Sequence, residues 1–324
     1  NMNLKLSAIF LGLTLVAACQ STSKVPDWYL NPAVTNNAAL VAVGEASSLD
    51  KAKQKAMNAI NQQLWTEVKS IGQSRKIAND INGREHYQQL NDFSVDTKTS
   101  AVVLNGVVFS KAQQVGSTFY VKAEIEKSKI RAQILADIQS YNQQAQFEIN
   151  NLSQVDPLLW WLKNADVSSL ETKMASRLSM LTALSSAGSE RPVNLIPALK
   201  EKVAEVHADI KVAIAAQPND QRMKKSITAY FTDFNIQVVD AAASNYSHKL
   251  ILDTDWRKNY ISDMYISTVQ VNLVLKNHAG NVLASNEVIA NANSVTSYER
   301  ANEGATRKFT AELKEQSFWK ALGL

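Results

Sequence analysis

Apolar residues recur at Leu49, Ala52, Ala56, Ile60, Leu64 and Val68, a spacing of three or four that predicts one buried face of an α-helix. The helix follows a short apolar run, Leu40-Val-Ala-Val43, that ends at Gly44 and reads as a strand. Ser47-Ser-Leu-Asp50 between them has the form of a capping box. Strand character resumes at 95–109 and in Phe119-Tyr-Val-Lys-Ala-Glu-Ile125, with Val115-Gly116-Ser117 as a hairpin turn. The first part of the chain is therefore expected to run strand, helix, then antiparallel meander.

From residue 127 the period becomes helical. Ile130, Ile134, Ile138, Tyr141, Ala145, Ile149 and Leu152 form a narrow apolar stripe. Asp156-Pro157, an N-cap followed by proline at the first helical position, opens a second helix carrying Leu159, Leu162, Leu170, Met174, Leu178 and Leu181. The two predict a helical hairpin over 127–186. Turn-prone residues from Ala187 to Pro192 read as a linker.

Beyond it the pattern alternates again. Helices are expected at 198–206 and 221–234, and strands at 210–215, 236–239, 250–255, 265–275 and 282–290. The last two strands flank a turn at Asn277-His-Ala-Gly-Asn281, and a final helix begins at Thr296-Ser-Tyr-Glu299. Ser297, Ala301, Ala305, Phe309 and Leu313 repeat the spacing of Ser48, Ala52, Ala56, Ile60 and Leu64. Convergence on a sheet-packing helix and kinship between two modules both account for this. The expected fold class is α/β in the α+β sense: two small mixed-sheet domains with packed helices, at 25–126 and 193–324, joined by the hairpin.

The extreme N-terminal stretch breaks this pattern. Lys5 precedes an apolar run, 6–16, that is too short to span a bilayer as a stable helix, and Val16-Ala17-Ala18-Cys19 has the form of a bacterial lipobox. The expectation is a lipoprotein signal peptide at 1–18 and a lipidated Cys19, with 19–24 as tether. The covalent diacylglycerol and N-acyl chains, palmitate among them, are the only non-protein group implied. Gln20 after the cysteine points to the outer membrane, periplasm-facing.

Composition narrows the function classes. The 324 residues carry 34 basic and 30 acidic side chains, net +4, with no basic run, so nucleic acid binding has no support. One cysteine rules out an intrachain disulfide, and four scattered histidines do not form a metal motif. Ser48-Leu-Asp-Lys51 has Ser-x-x-Lys spacing but lacks the partner motifs of penicillin-recognising enzymes, and capping explains Ser48. Asp253 and Asp255 share a strand face without an evident third ligand. His248 and His278 are expected to make ordinary hydrogen bonds. No catalytic residue, metal or cofactor is assigned, and the chain is read as no enzyme. Trp28, Tyr29, Trp160, Trp161 and Trp319 are the candidate partner contacts. In Trp160-Trp161 and Phe318-Trp319, adjacent helical positions cannot share one face, so one of each pair is expected to look outward or to cover a neighbour, with packing favoured over a partner contact.

Pro26-Asp-Trp-Tyr-Leu-Asn-Pro32, the strand into Val43-Gly44-Glu45-Ala46, and the Ala52/Ala56 helix together resemble the Lpp-twenty lipoprotein family over about 25–138. The chain departs at Pro32-Ala33, where the family commonly has Pro-Pro. The resemblance implies an α/β fold, an outer-membrane anchor and no known catalysis, and the family includes outer-membrane ring lipoproteins of bacterial flagella. It implies a structural or assembly component of a periplasmic envelope machine, with protein partners and a possible homo-oligomer. The alternative is a lipoprotein that regulates or activates a peptidoglycan or polysaccharide synthase.

Overall fold

The computed structural model describes residues 24–32, 38–82, 102–184, 192–242 and 244–324. The architecture is mixed α+β, with one three-stranded antiparallel sheet and one five-stranded mixed sheet. Two compact units emerge. The first includes the chain up to Asp137 and the segment from Ser176, and the second includes Ile138–Ala175 and the chain from Arg191 onward. The lipobox Val16-Ala17-Ala18, Cys19, the strand expected at 95–101 and most of the 187–192 linker lie outside the described residues.

In the first unit, α1 (Asp27–Leu30) precedes β1 (Ala39–Ala46) and α2 (Leu49–Asn82), followed by β2 (Val108–Val115) and β3 (Thr118–Glu126). The sheet order is β1-β3-β2, so β3 is central. Ala52, Ala56, Ile60 and Leu64 of α2 are fully buried with Val121, Ala123 and Ile125 of β3 and Leu40 and Ala42 of β1. Small residues at the start of α2 allow a very close approach to the sheet. A Cβ built on Gly44 would lie 2.4 Å from the Ala52 carbonyl oxygen, so this strand position admits only glycine.

Two expectations shift here. The second strand is not 95–109: residues 102–107 are non-strand, and β2 starts at Val108. The cause is that β2 is an edge strand exposed on both sides, so its Ser-Lys-Ala-Gln-Gln core has no apolar alternation to read. The α2 cap also moves by one residue. Ser48 Oγ accepts from Lys51 N–H at 3.4 Å, placing Asp50 at the second helical position. There it meets the positive end of the helix dipole but cannot close the reciprocal bond of a capping box.

The second unit holds β4 (Lys211–Ala216), α7 (Gln221–Asp233), β5 (Gln237–Val239), β6 (His248–Ile261), β7 (Met264–Asn277), β8 (Val282–Ser294) and α8 (Tyr298–Glu315). The order is β5-β4-β6-β7-β8; β4 runs parallel to β5 and β6, while β6, β7 and β8 form an antiparallel meander. One face is covered: Val269, Val271, Leu273 and Leu275 of β7 are fully buried with Phe231 of α7 and Ala301, Ala305, Phe309 and Leu313 of α8. Ser297 Oγ caps α8 through Arg300 N–H at 3.3 Å, again one residue beyond the expected start of the box. The five positions that repeat between α2 and α8 therefore do the same work in both: a serine cap and four buried residues.

The helical stretch comprises α3 (Lys127–Asn151), α4 (Pro157–Asn164) and α5 (Val167–Leu184), and α6 (Ile196–Asp209) follows. The single helix expected from Asp156 to Leu181 is broken after Asn164. Asp156 caps α4 as its sequence foretold, accepting from Leu158 and Leu159 N–H.

Candidate functional site

Of the aromatic candidates in the first unit, Trp28 and Tyr29 lie half-buried on α1. Tyr29 meets Tyr120 of β3 edge-on at 4.8 Å, and Trp28 meets Tyr29 at 6.4 Å. Burial, then the neighbouring Glu45 carboxylate, raise the Tyr29 hydroxyl above its ordinary value. The two rings thus hold the start of this unit on its sheet.

Trp160 and Trp161 follow the second alternative, in which the ring turned away from the first face covers a neighbour. Both are buried, at 1% and 7% exposure. Helix α4 is short and enclosed on more than one side, so adjacent positions find separate cover. Trp160 Nε1 donates to the Glu148 carbonyl at 2.8 Å. Trp161 stacks on His207 of α6 at 4.8 Å and meets Trp319 of the terminal turn α9 (Phe318–Ala321) at 6.0 Å. Phe318 is buried and Trp319 half-buried, and both contact Phe231 and Phe234 at the end of α7. Trp160, Trp161 and Trp319 therefore bind helices of the second unit to one another, and Trp319 alone of the three keeps appreciable exposure.

Ser48 is occupied as a cap. Asp253 is exposed, Asp255 pairs with Arg257 at 3.4 Å, and no group of three possible metal-ligating residues occurs among the described residues.

One polar constellation joins residues that the sequence showed only separately. Parallel pairing of β4 with β6 sets Val212 beside His248, bringing the strand starts together below the N-terminus of α4. His248 is 1% exposed. Its Nε2 lies 3.0 Å from Asp156 Oδ1, and its Nδ1 lies 2.8 Å from Ser247 Oγ. Ser247 Oγ also accepts from Lys211 N–H at 2.8 Å and lies 3.0 Å from Lys211 O.

Charge and proton counting define what this chain of groups can do. Burial alone would raise the Asp156 carboxyl. The hydrogen bond and charge of His248 and the amides of Leu159 and Leu158 outweigh burial and hold it below its ordinary value. An ionised carboxylate only accepts, so His248 Nε2 carries a proton. The serine hydroxyl stands between two further partners, Lys211 O and His248 Nδ1, and has one proton to offer them. The order Ser-His-Asp invites comparison with a nucleophilic triad, but Ser247 is pinned to the Lys211 backbone on both sides. Its geometry is that of a tie between β4, β6 and α4.

Above the tie opens a cleft of about 570 Å³, rimmed by Asp209, Lys211, Asn245, Tyr246 and His278. His278 Nδ1 lies 2.9 Å from the Tyr246 carbonyl, so that nitrogen carries its proton. The rim presents both charge signs around a floor whose own polar groups are engaged. The pairing leaves no trace in the sequence because Asp156 and His248 stand 92 positions apart. The cap motif at Asp156 marks one partner alone.

Residues 26–147 match the LPP20 lipoprotein family and form a domain of that family, as the Pro26–Pro32 motif implied. No curated protein matches the chain. Among solved structures, the chain is similar to the secreted protein HP1454 of Helicobacter pylori at 12% identity, covering 86% of this chain and 98% of that one with a TM-score of 0.46. It is similar to a minor lipoprotein of Acinetobacter baumannii at 10% identity, over 36% of this chain and 98% of that one, TM-score 0.29. Lipoprotein GNA1162 of Neisseria meningitidis gives 14% identity over 33% and 96% of the two chains, TM-score 0.26. Likenesses at these scores carry no functional weight. No helix among the described residues is long and apolar enough to cross a membrane.

Proposed function

We propose that this protein is an outer-membrane lipoprotein, anchored through acyl chains on Cys19 and facing the periplasm, that acts by binding as a structural or assembly component of an envelope machine. The observation that carries the reading is the LPP20 lipoprotein domain at 26–147, placed just after a lipobox ending at Cys19. Several acyl chains on one sulfur give a stable anchor, since each buried methylene contributes about 0.8 kcal/mol. The finer role, by analogy a flagellar outer-membrane ring, rests on the family resemblance alone.

The chemistry of the second unit suits a binding role. Its buried polar groups are used to tie strands and helices together, and its cleft rim offers paired charges with an aromatic ring. The test is membrane fractionation of the chain and of Cys19→Ala, followed by in-cell cross-linking through the cleft rim. Outer-membrane recovery that is lost in the variant, with cross-links to envelope-assembly proteins, supports the reading. Recovery of both forms in the cytosol, or cross-links only to a peptidoglycan or polysaccharide synthase, overturns it.

A further inference from the structure

Among the described residues four strands form sheet edges, and three are short or protected. β1 has its Val41 carbonyl taken by Gln63 Nε2 at 2.8 Å. β2 is disrupted by a register shift between Phe109 and Lys111 and carries a lysine there, both of which discourage strand addition. β5 has three residues. β8 differs: it is thirteen residues long, contains no Pro, Gly, Lys or Arg, and bears one charge, Glu287.

Among the described residues, the start of β8 is the part that is occupied. Asn286 Nδ2 donates to the Ala321 carbonyl at 3.0 Å, and the C-terminal turn comes so close that a Cβ on Gly323 would lie 3.0 Å from the Ser285 carbonyl. Along 287–294, no hydrogen bond among the described residues closes the outer edge. Glu287 reaches inward, accepting from Gln270 Nε2 of β7 at 2.6 Å. Ile289 stands 56% exposed, and Val295, immediately after the strand, 79%. An open edge of this length with exposed apolar side chains is a template for one more strand.

We propose that this edge pairs with β8 of a second copy, antiparallel about a two-fold axis, joining two five-stranded sheets into one. The segment is self-complementary. Residues opposite each other in an antiparallel pair share a face. A register centred on Ala292 sets Ile289 opposite Val295, Asn291 opposite Asn293 and Ala290 opposite Ser294. Apolar meets apolar, amide meets amide, and the helix-covered side carries only small residues at the seam. Glu287 falls outside the paired segment, level with the turn that leads from Ser294 into α8 rather than with its own copy, so no like charges meet. The same charge would repel itself only in a register centred on 287, where the C-terminal turn already lies. The contact is small for a stable soluble dimer, and attachment of both copies to one membrane raises the effective concentration that a short strand pair needs. The pairing goes beyond the proposed function, because it holds whichever envelope machine the protein serves.

The test is light scattering of the full chain in detergent across a wide concentration range, for wild type, Ile289→Lys, Asn291→Lys and the control Val193→Lys, whose site is also exposed. A wild-type mass that doubles with concentration, a dimer weakened at least tenfold by either β8 lysine, and an unaffected control support the inference. A wild type monomeric throughout, or lysine variants that dimerise as well as wild type, overturns it. Oxidation of mixed Asn291→Cys and Asn293→Cys chains then reads the register, against wild type carrying Cys19 alone. Cross-linking in the mixture above either variant by itself supports a centre at Ala292, and its absence in a confirmed dimer overturns that register. Fractionation and cross-linking to other proteins are unaffected by either result, so failure here is distinct from failure of the proposed function.

Discussion

Gly44 of β1 lies directly beneath Ala56 of α2, close enough that a Cβ on the glycine would stand 2.5 Å from the alanine's backbone nitrogen. The helix rests on the strand backbone itself. Gly44→Ala therefore drives a methyl group into main-chain atoms, which no rotamer change relieves. The expected cost is about 3 kcal/mol, read as a lower urea midpoint. A variant within 0.5 kcal/mol of wild type would show that the helix shifts away freely.

The Asp156–His248 tie makes stability depend on pH with a definite sign. The Asp156 carboxyl is lowered in the folded protein, so the unfolded chain binds more protons as acid is added. Its contribution is fully present above the unfolded aspartate value of about 3.9. It is lost as pH falls through the lower folded value. Asp156→Asn keeps a capping oxygen but removes the charge, and is expected to cost about 2 kcal/mol at pH 7. The difference from wild type should shrink towards pH 3 in paired urea titrations; a gap that stays constant with pH would assign the loss to packing.

Glu148 is buried at 4% exposure, with Lys163 Nζ 2.6 Å from Oε1 and Asn164 Nδ2 3.2 Å from Oε2. Lys163→Met leaves that carboxylate one neutral side-chain partner and should cost about 2 kcal/mol. Adding Glu148→Gln removes the uncompensated charge and should recover most of the loss. A double variant no more stable than Lys163→Met, by thermal melting, would locate the effect in the lysine's methylene stem.

The β6–β7 hairpin turns on Ser262 and Asp263, with φ of 51° and 59°. Two residues in the left-handed region form the type I′ geometry that Asn-Gly adopts with least strain. Ser262→Asn with Asp263→Gly is expected to stabilise the second unit by about 1 kcal/mol, seen as a higher melting temperature. An unchanged or lower melting temperature would mean that the bond from the Tyr260 hydroxyl to Asp263 Oδ1, 3.3 Å long, outweighs the backbone relief.

What the amino-acid order determined by itself was local. The Ala52/Ala56 and Ala301/Ala305 faces, the Asp156-Pro157 helix start, the turn at Gly116 and the β7–β8 turn were legible because helix periodicity, capping and turn chemistry involve residues at most a few positions apart. The opening motif of the LPP20 domain was legible for the same reason. Even there the serine caps fell one residue late, since Ser47 and Ser48 are chemically alike and only the packing of Ala52 chooses between them. Tertiary structure decided the rest. β2 shows no alternation because neither of its faces is covered. Trp160 and Trp161 are both buried because a two-turn helix is enclosed from more than one direction, which a helical wheel does not represent. His248 meets Asp156 only because β6 lies parallel to β4 and its start comes under α4. Which distant groups share a low-dielectric site is a property of strand order, and strand order is chosen by the whole core.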